Sequence, residues 1–410
     1  MPTPRIRRAL TNVGGEIETG GDREAGLLLS EALDVPPNEG EDEDPARAHV
    51  HGFHAYPARM HPLTAARLVQ RLVPPRGRVL DPFCGSGTVL VEARLAGRDA
   101  MGSDLNPLAV KIARRKITPL AEGDAEKILA AAKTVRQRAD DRRIARAGAT
   151  RRLSDEDVAL FAPHVLLELD GLRSGIETIS DPMVKDALFL VLSALFVKVS
   201  QKKSDTSEEA APRRLAAGYT AKLFFRKTEE LVARLSAFAE RLPEAKLARA
   251  RVEVDDATRL ESVEDASIDA IITSPPYAAT YDYVAHHAVR LRWLSLDARG
   301  LERGELGARR RYAKMPPETA EREWVGELVR FLRTAARVMK RGAPLVMLVA
   351  DSAVGGHALR ADQLVARAAE ETKLVPLARA TQRRPHFHGP TANTFRQIPR
   401  GEHALMLQKS

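Results

Sequence analysis

The chain has 410 residues, 44% of them hydrophobic, and 64 Lys and Arg against 55 Asp and Glu give a formal net charge of +9. One large core or two modest ones are within reach, while no uninterrupted apolar run of about 18 residues suggests a membrane span and the basic start Met1–Gly20 lacks the apolar stretch of a secretory signal. The single cysteine, Cys84, excludes an intramolecular disulfide and a cysteine-rich metal site, so a cytoplasmic protein is expected, and its excess positive charge suits a polyanionic partner.

Residues 1–48 hold glycines, prolines and the acidic run Glu39–Asp44 without sustained apolar periodicity, which predicts a disordered arm. Leu63, Ala66, Leu68, Val69 and Leu72 then predict a helix over Pro62–Leu72. Arg78–Asp81 reads as a strand entering a glycine-rich turn, Val89–Ala96 as a helix and Asp99–Asp104 as a second strand. Pro107–Lys116 is a further predicted helix, its proline suited to the first turn. Residues 120–250 are rich in Ala, Arg, Leu and Glu in long helical patterns; Leu188–Val199 is expected to be buried and Ser200–Ser207 to be a polar loop. Strands are predicted again at Arg251–Val254, Ile268–Ile272, Pro344–Val349, Leu374–Ala380 and Ala404–Leu407, with helices over Ala320–Met339 and Arg360–Glu371. Strands alternating with helices imply an α/β fold with a parallel, doubly wound sheet, interrupted by a helical insertion between its second and third βα units.

Two strings carry the chemistry. Leu80-Asp81-Pro82-Phe83-Cys84-Gly85-Ser86-Gly87-Thr88 joins a strand to a helix at the strand's carboxyl end, where open α/β sheets bind ligands. Its glycines allow a sharp turn and close approach of a ligand to the backbone. Asp104 ends the next strand, where a carboxylate can accept from ribose hydroxyls. The string is neither the dinucleotide fingerprint nor a P-loop, because no GxGxxG is present and no Gly-Lys-Ser/Thr follows. A cationic or hydroxyl-rich ligand therefore fits better than a pyrophosphate. The second string, Ile271-Ile272-Thr273-Ser274-Pro275-Pro276-Tyr277, ends a strand in two prolines and an aromatic. Paired prolines stiffen the loop, so that the Ser274 hydroxyl and the Pro275 carbonyl can take the hydrogens of one amino group while Tyr277 stacks on the ring that carries it.

Both strings resemble the amino-methyltransferases of nucleic acids. That family's cofactor loop reads DPFxGSGT, and its catalytic motif is Asp, Asn or Ser followed by Pro-Pro and an aromatic; Ser274–Tyr277 is the serine form, commoner among enzymes of cytosine N4. The upstream segment His54-Ala55-Tyr56-Pro57-Ala58-Arg59-Met60-His61-Pro62 resembles the family segment that closes over the methionine end of the cofactor, with Arg59 and Met60 where Lys and Phe are usual. Val254-Asp255-Asp256-Ala257 resembles its turn beside the adenine. The resemblance implies a class I S-adenosylmethionine-dependent methyltransferase fold, Rossmann-like, that methylates an exocyclic amine of a flipped-out DNA base by direct transfer. It implies S-adenosylmethionine as cofactor, held by Tyr56, Pro57, Asp81, Pro82, Phe83, Cys84, Gly85, Ser86, Gly87, Thr88, Asp104, Leu105, Asn106, Asp256 and Ala257. Ser274, Pro275, Pro276 and Tyr277 would be catalytic, and no metal is expected.

The chain accordingly divides into an arm (1–48), a cofactor-binding half (49–119), a helical insertion that could read the target or brace the sheet (120–250) and a catalytic half (251–410). Arg309-Arg310-Arg311 and Arg383-Arg384-Pro385-His386-Phe387-His388 are candidate phosphate contacts. DNA is the expected partner. The rivals are an RNA base amino-methyltransferase, whose family form more often carries Asp or Asn before the prolines and Gly in place of Ala278, an adenine N6 enzyme, and a catalytically silent binding subunit. The sequence argues against a cytosine C5 mechanism, which needs a thiolate nucleophile, because the only cysteine lies in the glycine loop.

Overall fold

The computed structural model describes residues 15–36, 44–203, 210–243, 248–384 and 393–410. Residues 39–43 of the acidic run, Ser204–Ser207 and the segment Pro385–His388 lie outside the described residues. In chain order the elements are β1 (Ile17–Gly21), α1 (Arg23–Leu33), α2 (Pro62–Leu72), β2 (Arg78–Asp81), α3 (Thr88–Leu95), β3 (Asp99–Asp104) and α4 (Pro107–Ile117). A helical block follows: α5 (Asp124–Ile144), α6 (Asp155–Leu160), α7 (Pro163–Glu177), α8 (Pro182–Val199) and α9 (Tyr219–Glu240). Then come β4 (Ala250–Val254), β5 (Ala270–Thr273), α10 (Tyr283–Trp293), α11 (Arg299–Gly304), α12 (Arg309–Tyr312), α13 (Pro317–Val338) and β6 (Pro344–Ala350). A small hairpin, β7 (Ser352–Val354) and β8 (His357–Leu359), precedes α14 (Ala361–Ala369), β9 (Leu374–Arg384) and β10 (Arg400–Lys409).

Helix starts are set locally. In α2, α4 and α8 a proline occupies the first turn, where its missing N–H costs nothing. The preceding side chain caps the exposed donors: His61 Nδ1 accepts from Leu63, Asn106 Oδ1 from Leu108, and Asp181 Oδ1 from Met183 and Val184.

The sheet has the order β1-β9-β10-β6-β5-β2-β3-β4. β4, β3, β2, β5 and β6 run parallel, and β10, β9 and β1 complete the sheet in antiparallel pairings. The order reverses between β2 and β5, so the carboxyl ends of these two strands open onto the crevice where such sheets bind ligands. Side chains alternate across the sheet. Val79, Ile272, Val346 and Met406 join the core on one face, and Leu80, Ile271, Met347 and Leu405 join the core on the other. Burial on both faces explains why the central strand Pro344–Ala350 reads as an unbroken apolar run. This is a doubly wound, Rossmann-like and mostly parallel sheet with an antiparallel edge.

The helical block is continuous with the rest. Leu188, Phe224 and Leu235 belong to the same buried cluster as Val79 and Val346. The expected disordered arm over 1–48 is corrected at its described residues. β1 pairs with β9 at the sheet edge, from Ile17 opposite Gln382 to Gly21 opposite Ala378. Asp22 caps α1, whose Ala25, Leu29, Ala32 and Leu33 are buried. Those four stand at i, i+4, i+7 and i+8, one apolar stripe of a helix, and the pairing covers a strand edge that would otherwise stand open.

Candidate functional site

The turn after β2 is built on two left-handed glycines, Gly85 at φ +48° and Gly87 at φ +83°. A Cβ on Gly85 would stand 3.1 Å from the Tyr56 ring, and one on Gly87 3.0 Å from Ala113 Cβ. Neither position accepts a side chain without displacing a neighbour.

Two carboxylates frame the turn. Asp81, 4% exposed at the end of β2, accepts from Thr273 Oγ1 at 2.7 Å and from the Phe83 N–H at 3.2 Å. Burial pushes its carboxyl up to about 7, the bonds from Thr273 and Phe83 working against the rise and Asp104 adding to it. Asp104 accepts from the Gly85 N–H at 2.9 Å and the Asn106 N–H at 2.8 Å. Burial raises it to about 6, opposed by those two backbone bonds. The end of β3 thus holds the glycine turn in shape, with a lone pair still available on each oxygen.

A cavity of about 820 Å³ empty volume lies over this turn. Tyr56, the turn from Asp81 to Ser86, Thr88, Asp104-Leu105-Asn106, Asp256-Ala257, Ser274 and Pro276 all line it. Pro57, Gly87 and Pro275 are not in its wall. Asp256 spends Oδ1 on the Thr258 N–H and hydroxyl, both at 2.8 Å, which leaves Oδ2 for the cavity. Ser86 Oγ is buried in this wall with no hydrogen-bond partner among the described residues.

Ser274 also lines a second cavity, of about 920 Å³ empty volume, with Ala58, Arg59, Met60, Tyr277, Tyr281, Arg384, Arg400 and Glu402. Ser274 therefore stands in the partition between the two. Its hydroxyl donates to the Leu348 carbonyl at 3.1 Å and hydrogen-bonds to Tyr277. Burial raises the Tyr277 phenol well above its ordinary range, Glu402 adding to the rise and Ser274 and Arg400 opposing it. Arg59 and Met60, which differ from the usual family residues, stand in the walls of both cavities, and the Arg59 guanidinium is held by the His51 carbonyl at 2.6 Å.

Several site residues have no role assigned by the sequence. Tyr283, at the start of α10, lines the first cavity; His287 stacks on Tyr56 at 4.9 Å, and Tyr283 lies parallel to both. Tyr56 in turn accepts from Asn106 Nδ2 at 3.2 Å. Glu305 closes the cavity from the chain after α11 and accepts the Tyr283 N–H at 2.6 Å. The aromatic spacing Tyr281-Asp282-Tyr283 was the available signal; Glu305 had none, because its role depends on contact with α10 across the intervening chain. The helical block braces this wall. Ser193 of α8 hydrogen-bonds to His54 Nε2 at 2.7 Å through its hydroxyl and accepts from Arg290 at 3.2 Å through its carbonyl.

The expected basic clusters are largely committed within the chain. Arg310 pairs with Asp282 and Glu305, Arg311 with Glu327, Arg383 with Glu18 and Arg384 with Glu402.

Residues 25–115, which span α1 to α4 and include the glycine turn, match the family model described as DNA methylase. This segment is similar to the DNA amino-methyltransferases. The Type II methyltransferase M.MvaI of Kocuria varians is 40% identical over 74 residues, 17% of this chain and 16% of that protein. The tRNA (guanine(10)-N2)-dimethyltransferase of Methanothermobacter thermautotrophicus is 36% identical over 92 residues, 22% of this chain and 27% of its own. The chain thus spans less than a third of the length of either relative. Among solved structures, TrmN from Thermus thermophilus aligns over 86% of this chain and 49% of its own, at 13% identity and a TM-score of 0.34.

Proposed function

We propose that this protein is an S-adenosylmethionine-dependent methyltransferase acting on the exocyclic amino group of a DNA base, cytosine N4. The observation that carries the reading is the position of Ser274, which lines both cavities. One cavity has the fittings for the cofactor and the other has room for a base.

The first cavity suits S-adenosylmethionine on its own chemistry. Carboxylates at Asp81, Asp104 and Asp256 favour an ammonium, hydroxyls and an amino group respectively, and the buried Ser86 Oγ awaits a partner. S-adenosylmethionine bound there supplies an electrophilic methyl group. An exocyclic amine is a poor nucleophile while its lone pair is conjugated with the ring. Ser274 Oγ sends its own hydrogen to Leu348, accepts from Tyr277 and keeps one oxygen lone pair for an incoming N–H. By the family resemblance the Pro275 carbonyl, which lines neither cavity here, takes the second hydrogen, and Tyr277 in the second cavity's wall stacks on the ring. Together they draw the nitrogen lone pair out of conjugation and aim it through the partition. Rate then comes from positioning and electrostatics, without a covalent protein intermediate. Reaching the amine in a duplex requires extrusion of the base into the second cavity.

The 36% identity to a tRNA dimethyltransferase keeps a second reading in play, an RNA base as acceptor. Purified protein with methyl-labelled S-adenosylmethionine and separate DNA and RNA pools decides between them. Label released by DNase supports the proposal; label released only by RNase replaces it with the second reading.

A further inference from the structure

The second cavity holds an arginine whose hydrogen-bonding capacity is not used up. Arg384 ends β9 opposite Arg400 on β10, and its side chain is only 4% exposed. Nε donates to Glu402 Oε2 at 2.7 Å, which fixes the plane of the guanidinium. Nη1 is buried with no hydrogen-bond partner among the described residues. A buried donor left unmet is costly, and more so when charged. The residue itself lines the cavity with Ser274, Tyr277 and Tyr281, so the unmet donor lies just behind the wall. Arg400, in the same wall, donates through Nε to the Asp351 carbonyl at 2.8 Å, so its guanidinium is held as well.

We propose that Arg384 is a specificity residue that donates to the base seated against Ser274 and thereby selects cytosine over adenine. The inference rests on the amino-methyltransferase reading above. Beside its amino group cytosine presents two successive acceptors, ring N3 and the O2 carbonyl. Adenine presents one, N1, followed by a C–H. A rigid guanidinium fork next to the amine pocket meets both acceptors of cytosine, but against adenine it leaves an N–H facing carbon. Glu402 keeps the fork in plane, and the aromatic faces of Tyr277 and Tyr281 accept either ring, so they do not choose between them.

The test first maps the protein's own methylation site on unmethylated bacterial DNA. Duplex oligonucleotides then carry that site with cytosine or adenine at the target position. Wild-type protein, Arg384→Met, Arg384→Lys and Glu402→Gln are compared for kcat/KM on each duplex, with S-adenosylmethionine affinity measured separately as the check on folding. Arg384→Met is expected to bind the cofactor as wild type does and to lose about 10- to 100-fold in its preference for cytosine. Arg384→Lys should recover part of that preference, and Glu402→Gln should lose part of it with the arginine still present. An unchanged preference in Arg384→Met and Glu402→Gln overturns the inference and leaves the methyltransferase reading standing. Wild-type protein that makes N6-methyladenine at its site overturns the inference together with the base assignment, and failure to methylate any nucleic acid overturns the reading beneath both.

Discussion

Thr273 Oγ1 donates to Asp81 Oδ1 at 2.7 Å, tying the residue before the Ser274 turn to the residue that opens the glycine turn. The bond crosses between neighbouring strands, since β2 pairs with β5 at the point where strand order reverses. The cofactor loop and the catalytic loop are therefore held to each other by a buried contact. Thr273→Val keeps the shape and removes the donor. It is expected to cost about 1–3 kcal/mol of stability and to weaken S-adenosylmethionine binding, read by urea unfolding and calorimetry. Unfolding at the wild-type urea midpoint would show that the bond does not matter.

Gly85 and Gly87 fail differently when given a side chain. Gly85→Ala drives a methyl group into the Tyr56 ring in the cavity wall, so cofactor affinity should fall at least tenfold, about 1.4 kcal/mol. Gly87→Ala presses on Ala113 of α4 and holds a left-handed φ, so about 1–3 kcal/mol of stability should be lost. Calorimetric titration and thermal unfolding separate the two effects. Equal affinities for Gly85→Ala and wild type would contradict the placement of the cofactor.

The carboxylates give the site a pH dependence with a defined sign. Burial raises Asp81 to about 7 and Asp104 to about 6, from an ordinary 3.8, so the folded protein binds these protons more tightly than the unfolded chain does. Their contribution to stability is complete below pH 3.8 and is lost as pH rises through 6 to 7. A cationic cofactor favours the ionised carboxylates and offsets that loss. The gain in Tm on saturation with S-adenosylmethionine should therefore be larger at pH 8 than at pH 6, roughly tenfold in affinity for each proton released per pH unit. A gain that shrinks between pH 6 and pH 8 would refute it.

Ser274→Ala should separate chemistry from binding. The hydroxyl lies in the partition and its nearest protein acceptor is the Leu348 carbonyl, so its loss leaves the glycine turn intact. Methyl transfer should slow about 10²- to 10³-fold, the effect typical of removing a positioned hydrogen-bonding group from an active site, with cofactor affinity within a factor of two. Single-turnover rates alongside equilibrium binding make the comparison.

Elements whose signals are local were legible in the sequence. α2, β2 and β3 occupy the expected bounds, because the His61 cap with Pro62, the turn after Asp81, and Gly97 before and Asn106-Pro107 after β3 are written in adjacent residues. β1 was not legible: Ile17–Gly21 carries no alternation, and its partner β9 lies near the other end of the chain. α1 did carry a signal, the stripe Ala25, Leu29, Ala32 and Leu33 after Asp22, hidden by the glycines and acidic residues on either side. In the site, residues within the two motif strings could be named in advance. Glu305, His287 and Ser193 could not, because each acts through a partner distant in sequence that only the packed sheet and helical block bring near.

The most direct test of the central claim is the chemical identity of the methylated nucleoside. Purified protein, methyl-labelled S-adenosylmethionine and unmethylated DNA are incubated, and the DNA is digested and resolved by nucleoside mass spectrometry. Label recovered as N4-methylcytosine is the expected result. Label in N6-methyladenine would contradict the base assignment, and unlabelled DNA from protein that binds the cofactor would contradict the proposed activity on DNA.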